Sequence, residues 1–146
     1  MSAGLRGAVY TVFGVLWVSG AAWLVVHLLF PQQTSFGPAP NPWEPAILRV
    51  HGWTATAAMF LLGWISARHI VDRWPLHRRR PSGLLLSALA ALLVLSGYAL
   101  YYTTDRLHAS ASMTHEILGA AGILLAVLHW YVSAARRGRL ANQEPE

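Results

Sequence analysis

Residues 114–131 read THEILGAAGILLAVLHWY, apolar enough to lie inside a membrane yet carrying His115 near one end and His129 near the other. At the pitch of an α-helix the two imidazoles point about 40° apart and sit ~21 Å apart along the axis. The face between them is Gly119, Gly122 and Ala126, with Gly122 midway. Ionisable side chains are rare inside membrane spans and mark functional sites there. A helix that sets histidines at two depths and removes bulk between them has the form needed to hold two flat cofactors, one near each surface.

The rest of the chain suits a membrane. Of 146 residues, 55% are hydrophobic and 12% charged, about half the charged share of a soluble domain, and the apolar residues fall in four long blocks. The absence of cysteine excludes disulfides, thiolate metal sites, iron–sulfur clusters and covalent c-type haem, but leaves non-covalent haem open. The net charge of +5 sits in short loops and the tail without an aromatic-interleaved basic face, so it reads as a topology signal and not as a nucleic-acid surface. No Gly-rich phosphate loop, nucleophile elbow or carboxylate pair suggests a soluble enzyme.

The expected fold is all-α: an integral membrane four-helix bundle forming one domain over residues 1–146. Span one is expected at 8–30, a retained signal anchor too long for a cleaved leader, with His27 near its far end. Residues 31–45 hold five prolines and form a loop, with Trp43 suited to the headgroup belt. Span two is expected at 46–71 and carries His51 and His69, eighteen residues or five turns apart and therefore on one face with Ala55, Ala58, Leu62 and Ile65. A basic loop with His77 leads to span three at 83–102, which has no histidine and reads as a packing helix; Tyr98, Tyr101 and Tyr102 form an aromatic cluster at its end. Residues 103–112 read as a short polar loop containing His108, span four as 113–135, and 136–146 as a basic tail. Arg6, the cluster from Arg68 to Arg80 and the cluster from Arg136 to Arg139 must share a side in a four-span chain, so the positive-inside rule puts both termini in the cytoplasm.

In that topology spans two and four run parallel, and their histidines pair by depth: His51 with His115 near the outer surface, His69 with His129 near the cytoplasmic one. Two neutral imidazoles on opposite sides of a porphyrin make a six-coordinate iron suited to electron transfer. Arg49, Arg68 and Arg106 are candidates for the haem propionates, with an ordinary exposed arginine the equal alternative for each.

The spacing of His115, Gly122 and His129 resembles the two-histidine helix of di-haem b-type cytochromes of bacterial respiration. These include the membrane subunits of formate dehydrogenases and hydrogenases and the four-helix core of quinol-oxidising cytochrome bc complexes. The resemblance covers spans two to four, and span one only loosely. It implies two haem b groups (one is the lesser alternative) held by His51, His69, His115 and His129, and electron transfer across a bacterial inner membrane. It further implies redox partner subunits and a quinone pool at one end. The chain departs from the pattern in one respect. His51 and His69 are ~27 Å apart along a helix against ~21 Å for the other pair, and His27 is the alternative to His51.

Two other readings compete. A haem-free anchor or assembly subunit would use the histidines as inter-helix hydrogen-bonding groups. A proton or zinc transporter would need intramembrane carboxylates or a third ligand at each depth; Glu116 at a span edge is the nearest acid.

Overall fold

The computed structural model describes residues 3–67 and 81–141, with side chains described for 3–67 and 83–131. His69, Arg68, His77 and the rest of the basic loop lie outside the described residues. The chain divides into two compact units, Met1–Arg78 and Arg79–Glu146, each a helical hairpin.

In the first unit α1 (Ala3–Leu29) packs against α2 (Glu44–Ile65). Between them β1 (Gln32–Thr34) pairs antiparallel with β2 (Gly37–Ala39), so the proline-rich stretch expected as a plain loop contains a tight hairpin. Gly37 has φ +109°, a conformation L side chains rarely adopt, and the Thr34 hydroxyl donates to its carbonyl at 2.7 Å. Pro45 lies in the first turn of α2, where its missing N–H costs nothing. In the second unit α3 (Pro81–Tyr102) packs against α4 (Asp105–Ala141).

The segment 103–112, read from the sequence as a loop, is a loop only at Thr103 and Thr104. Asp105 takes φ +54° and starts α4 at once, so His108 and Arg106 are exposed on its first turns. Polarity misled the reading. A short-looped antiparallel turn needs one left-handed residue, and after it polar residues continue a helix as readily as apolar ones.

Three helical segments among the described residues are long and apolar enough to cross a membrane: Ala3–Leu29, Gly83–Tyr102 and Asp105–Tyr131. The described part of α2 does not join them, because its first half carries Glu44, Arg49, His51, Thr54 and Thr56; the expected end of span two lies beyond the described residues. The described hydrophobic residues that are buried are Ala58 and Leu89, while Trp17, Phe60, Leu84, Leu95 and Leu124 are exposed. Helices that expose large apolar side chains on most of their surface need an apolar solvent, and a bilayer provides one.

Candidate functional site

Burial of polar groups locates the site. Among the described residues three polar side chains are buried, Ser19, Ser96 and Glu44, and each faces a histidine from the other helix of its hairpin.

In the first unit His51 on α2 lies over Ser19 and Gly20 on α1. Its Nδ1 is 3.0 Å from the Leu16 carbonyl and 3.1 Å from Ser19 Oγ, and Ser19 Oγ donates to the same carbonyl at 2.9 Å. A carbonyl only accepts, so Nδ1 carries a proton that it shares between Leu16 O and Ser19 Oγ. In the neutral ring Nε2 then carries the lone pair. The ring can come this close because residue 20 is glycine: a Cβ there would lie 3.0 Å from His51 Cε1.

The second unit repeats the arrangement. Ser96 Oγ donates to the Leu93 carbonyl at 3.1 Å and lies 2.9 Å from His115 Nδ1. While the hydroxyl donates to Leu93 it accepts from Nδ1–H, and in that arrangement the neutral ring carries its lone pair on Nε2. Gly97 sits under the ring, where a Cβ would be 3.4 Å from His115 Cε1. About four turns along α3, Gly83 occupies a similar relation to His129, with a Cβ-to-Cε1 separation of 3.8 Å. Gly83 and Gly97 are fourteen apart, as are His115 and His129, so α3 carries a glycine opposite each histidine of α4. As expected, α3 packs on α4, and its Gly97 and Gly83 lie against the two rings.

The small faces between the histidines are used for close helix approach. Ala58 is buried against α1, seven residues after His51. Gly122, seven residues after His115, receives Leu89 of α3: a Cβ there would lie 3.4 Å from Leu89 Cδ2. Leu89 of the adjacent helix thus lies in ordinary contact distance of this position, so the small residue here serves helix packing. Gly119 has nothing within 4 Å of an added Cβ.

At the end of α1 near the hairpin, His27 stacks on Trp23 with centroids 4.7 Å apart, and its Nδ1 is 3.1 Å from Glu44 Oε2. The Asn41 N–H donates to Glu44 Oε1 at 2.8 Å, and Asn41 Nδ2 donates to the Phe30 carbonyl at 2.7 Å, tying the loop to both helices. Burial alone would push the Glu44 carboxyl up; the Asn41 N–H, the His27 ring and the neighbouring Trp23 indole outweigh it and hold the group below its ordinary value. Trp23 Nε1 is buried without meeting full hydrogen-bond geometry, so its contribution is the electrostatic one. Glu116 on α4 accepts from Ser112 Oγ at 2.7 Å. Arg49 donates from Nε to its own helix at the Pro45 carbonyl, 3.2 Å away.

Among the described residues no three His, Asp or Glu side chains converge as a metal site. The two serine–glycine receptacles were missed by reading the histidines alone. Their signal is a short repeat, Leu16-x-x-Ser19-Gly20-x-Ala22 and Leu93-x-x-Ser96-Gly97-x-Ala99, each followed by a helix with a histidine. Comparison of the chain with family models, curated proteins and solved structures finds no match to any of them.

Proposed function

We propose that this membrane protein carries electrons across a bacterial inner membrane through two bis-histidine b-type haems, as a four-span subunit with both termini cytoplasmic. The observation that carries the reading is the placement of two ring nitrogens: His51 Nδ1 faces the Leu16 carbonyl at 3.0 Å and His115 Nδ1 faces Ser96 Oγ at 2.9 Å. An imidazole that donates from Nδ1 to such a partner coordinates a metal through Nε2. A haem iron takes four ligands from its porphyrin and needs just two side chains, whereas a structural zinc needs about four. The donor set therefore fits a haem better than a bare ion.

In this reading His51 and His115 hold the outer group, and His69 and His129 the inner one; the pairing comes from the matched positions of these residues in the sequence. His27, whose Nδ1 lies 3.1 Å from Glu44 Oε2, is the alternative to His51. Bound haem supplies a one-electron couple. The chain's own residues fix ring orientation through Ser19 and Ser96, hold the helices close through Ala58 and Gly122, and leave Gly119 open. A quinone at one end follows from the resemblance alone.

A second reading has one observation in its favour: both histidines already make inter-helix hydrogen bonds, as a haem-free anchor or assembly subunit would use them. A pyridine haemochrome assay on the purified protein, with the haem-to-protein ratio, separates the two. Two haems per chain, falling to one in His69→Ala, supports electron transfer; a reduced spectrum without a b-type α-band leaves the anchor reading.

A further inference from the structure

We propose that Ser19 and Ser96 are positioning residues that set the tautomer of the facing histidine, so that both hairpins present Nε2 as the ligand nitrogen. The part of this that concerns metal ligation rests on the haem reading above; the tautomer assignment stands on the geometry alone.

The two hairpins share one device, built on the same short repeat. In each, a serine hydroxyl spends its hydrogen on the carbonyl three residues earlier and turns a lone pair toward the imidazole of the other helix. In each, the next residue is a glycine on which the ring lies, with Cε1 at 3.0 Å from the built Cβ position of Gly20 and 3.4 Å from that of Gly97. Ser19 and Ser96 are 7% and 8% exposed, so water does not compete for the hydroxyls. A serine in an apolar helix commonly bonds back to its own backbone and no further. Here the back-bond has a second consequence. While the hydroxyl donates to its own backbone its oxygen is an acceptor toward the ring, so a ring protonated at Nε2 would have to draw that hydrogen away from the carbonyl. The Leu16 carbonyl acts in the same sense on His51.

No acid lies on the adjoining turns of α1 or α3, and on α4 Glu116 is engaged by Ser112. A hydroxyl that accepts from Nδ1–H would also give the ligand more electron density at Nε2, favouring the oxidised state of a bound iron.

The test uses the full-length chain in lipid bilayers, prepared without haem and labelled with ¹⁵N-histidine. Solid-state NMR distinguishes Nδ1–H from Nε2–H imidazoles, and loss of each signal in His51→Asn and His115→Asn assigns it. The wild-type protein is expected to hold both rings as Nδ1–H. Ser96→Ala is expected to lower the Nδ1–H to Nε2–H ratio of His115 by roughly five-fold, the equivalent of one net hydrogen bond, and Ser96→Thr to restore it. Ser19→Ala and Ser19→Thr do the same at His51, with a smaller loss because the Leu16 carbonyl still accepts. Wild-type rings protonated at Nε2 would overturn the proposal, as would folded Ser→Ala variants with unchanged ratios; circular dichroism establishes that they fold. In the haem-loaded protein Ser96→Ala is expected to raise the midpoint potential of one haem and Ser96→Thr to return it. A preparation that shows the tautomer effect yet binds no haem refutes the electron-transfer reading and leaves the tautomer assignment in place.

Discussion

Gly20→Ala probes the closest approach at a glycine among the described residues. The new Cβ would lie 3.0 Å from His51 Cε1 and 3.4 Å from Nδ1. Bringing Cε1 out to 3.4 Å, where ordinary contact begins, takes a ring movement of 3.4 − 3.0 = 0.4 Å. Movement of the same size at Nδ1 would stretch its 3.0 Å and 3.1 Å contacts to about 3.4 and 3.5 Å, past the usual range for a nitrogen donor. That forfeits most of a hydrogen bond, ~1 kcal/mol, and overpacking adds ~1–3 kcal/mol. The better helix propensity of alanine returns at most ~1 kcal/mol. The net expectation is a loss of about 1–3 kcal/mol by these terms. Gly97→Ala starts from 3.4 Å and needs no displacement, and Gly14→Ala meets nothing within 4 Å, so both are expected to be neutral or slightly stabilising. Unfolding of the purified chain in mixed micelles, followed by circular dichroism at increasing SDS fraction, ranks the three variants. A Gly20→Ala protein as stable as Gly14→Ala, with His51 still protonated at Nδ1, would refute the close-approach reasoning.

Three further outcomes follow from the same geometry. The Glu44 carboxyl is held below its ordinary value of 4.5, so it contributes stability that is complete above that pH and drains away as pH falls through the depressed value; the stability difference between wild type and Glu44→Gln, measured by the same unfolding assay, is expected to be constant near neutrality and to vanish in acid. Gly122→Ala, whose Cβ would meet Leu89 Cδ2 at 3.4 Å, is expected to fold normally, whereas Gly122→Val should lose about 1–3 kcal/mol by overpacking, read as a shift in the SDS midpoint. Gly37→Ala forces a side chain onto φ +109° and is expected to cost the hairpin about 1–3 kcal/mol, visible as faster amide exchange at residues 32–39 with the helices unchanged.

The sequence by itself determined the helices and the faces that carry histidines. Long apolar runs must satisfy their backbone internally in a membrane, and a helix does this within one segment. The common face of His51, Ala58 and Ile65 follows from helical pitch alone, and Ala58 is indeed the most buried hydrophobic described. The proline-rich break before α2 was legible for the same local reason. What a histidine touches was not legible. Periodicity gives the direction in which one helix points, but the residue it meets depends on the rotation and axial register of a second helix, and those are settled by packing. Ser19 and Ser96 looked like incidental polar residues in apolar runs until α2 and α4 were laid against them. Likewise the sequence marks Gly122 as small, and only the packing of α3 shows that Leu89 lies against it. The proton on each imbedded imidazole is therefore a tertiary property: the sequence places the ring, and the carbonyl and hydroxyl of the facing helix decide which nitrogen carries the hydrogen.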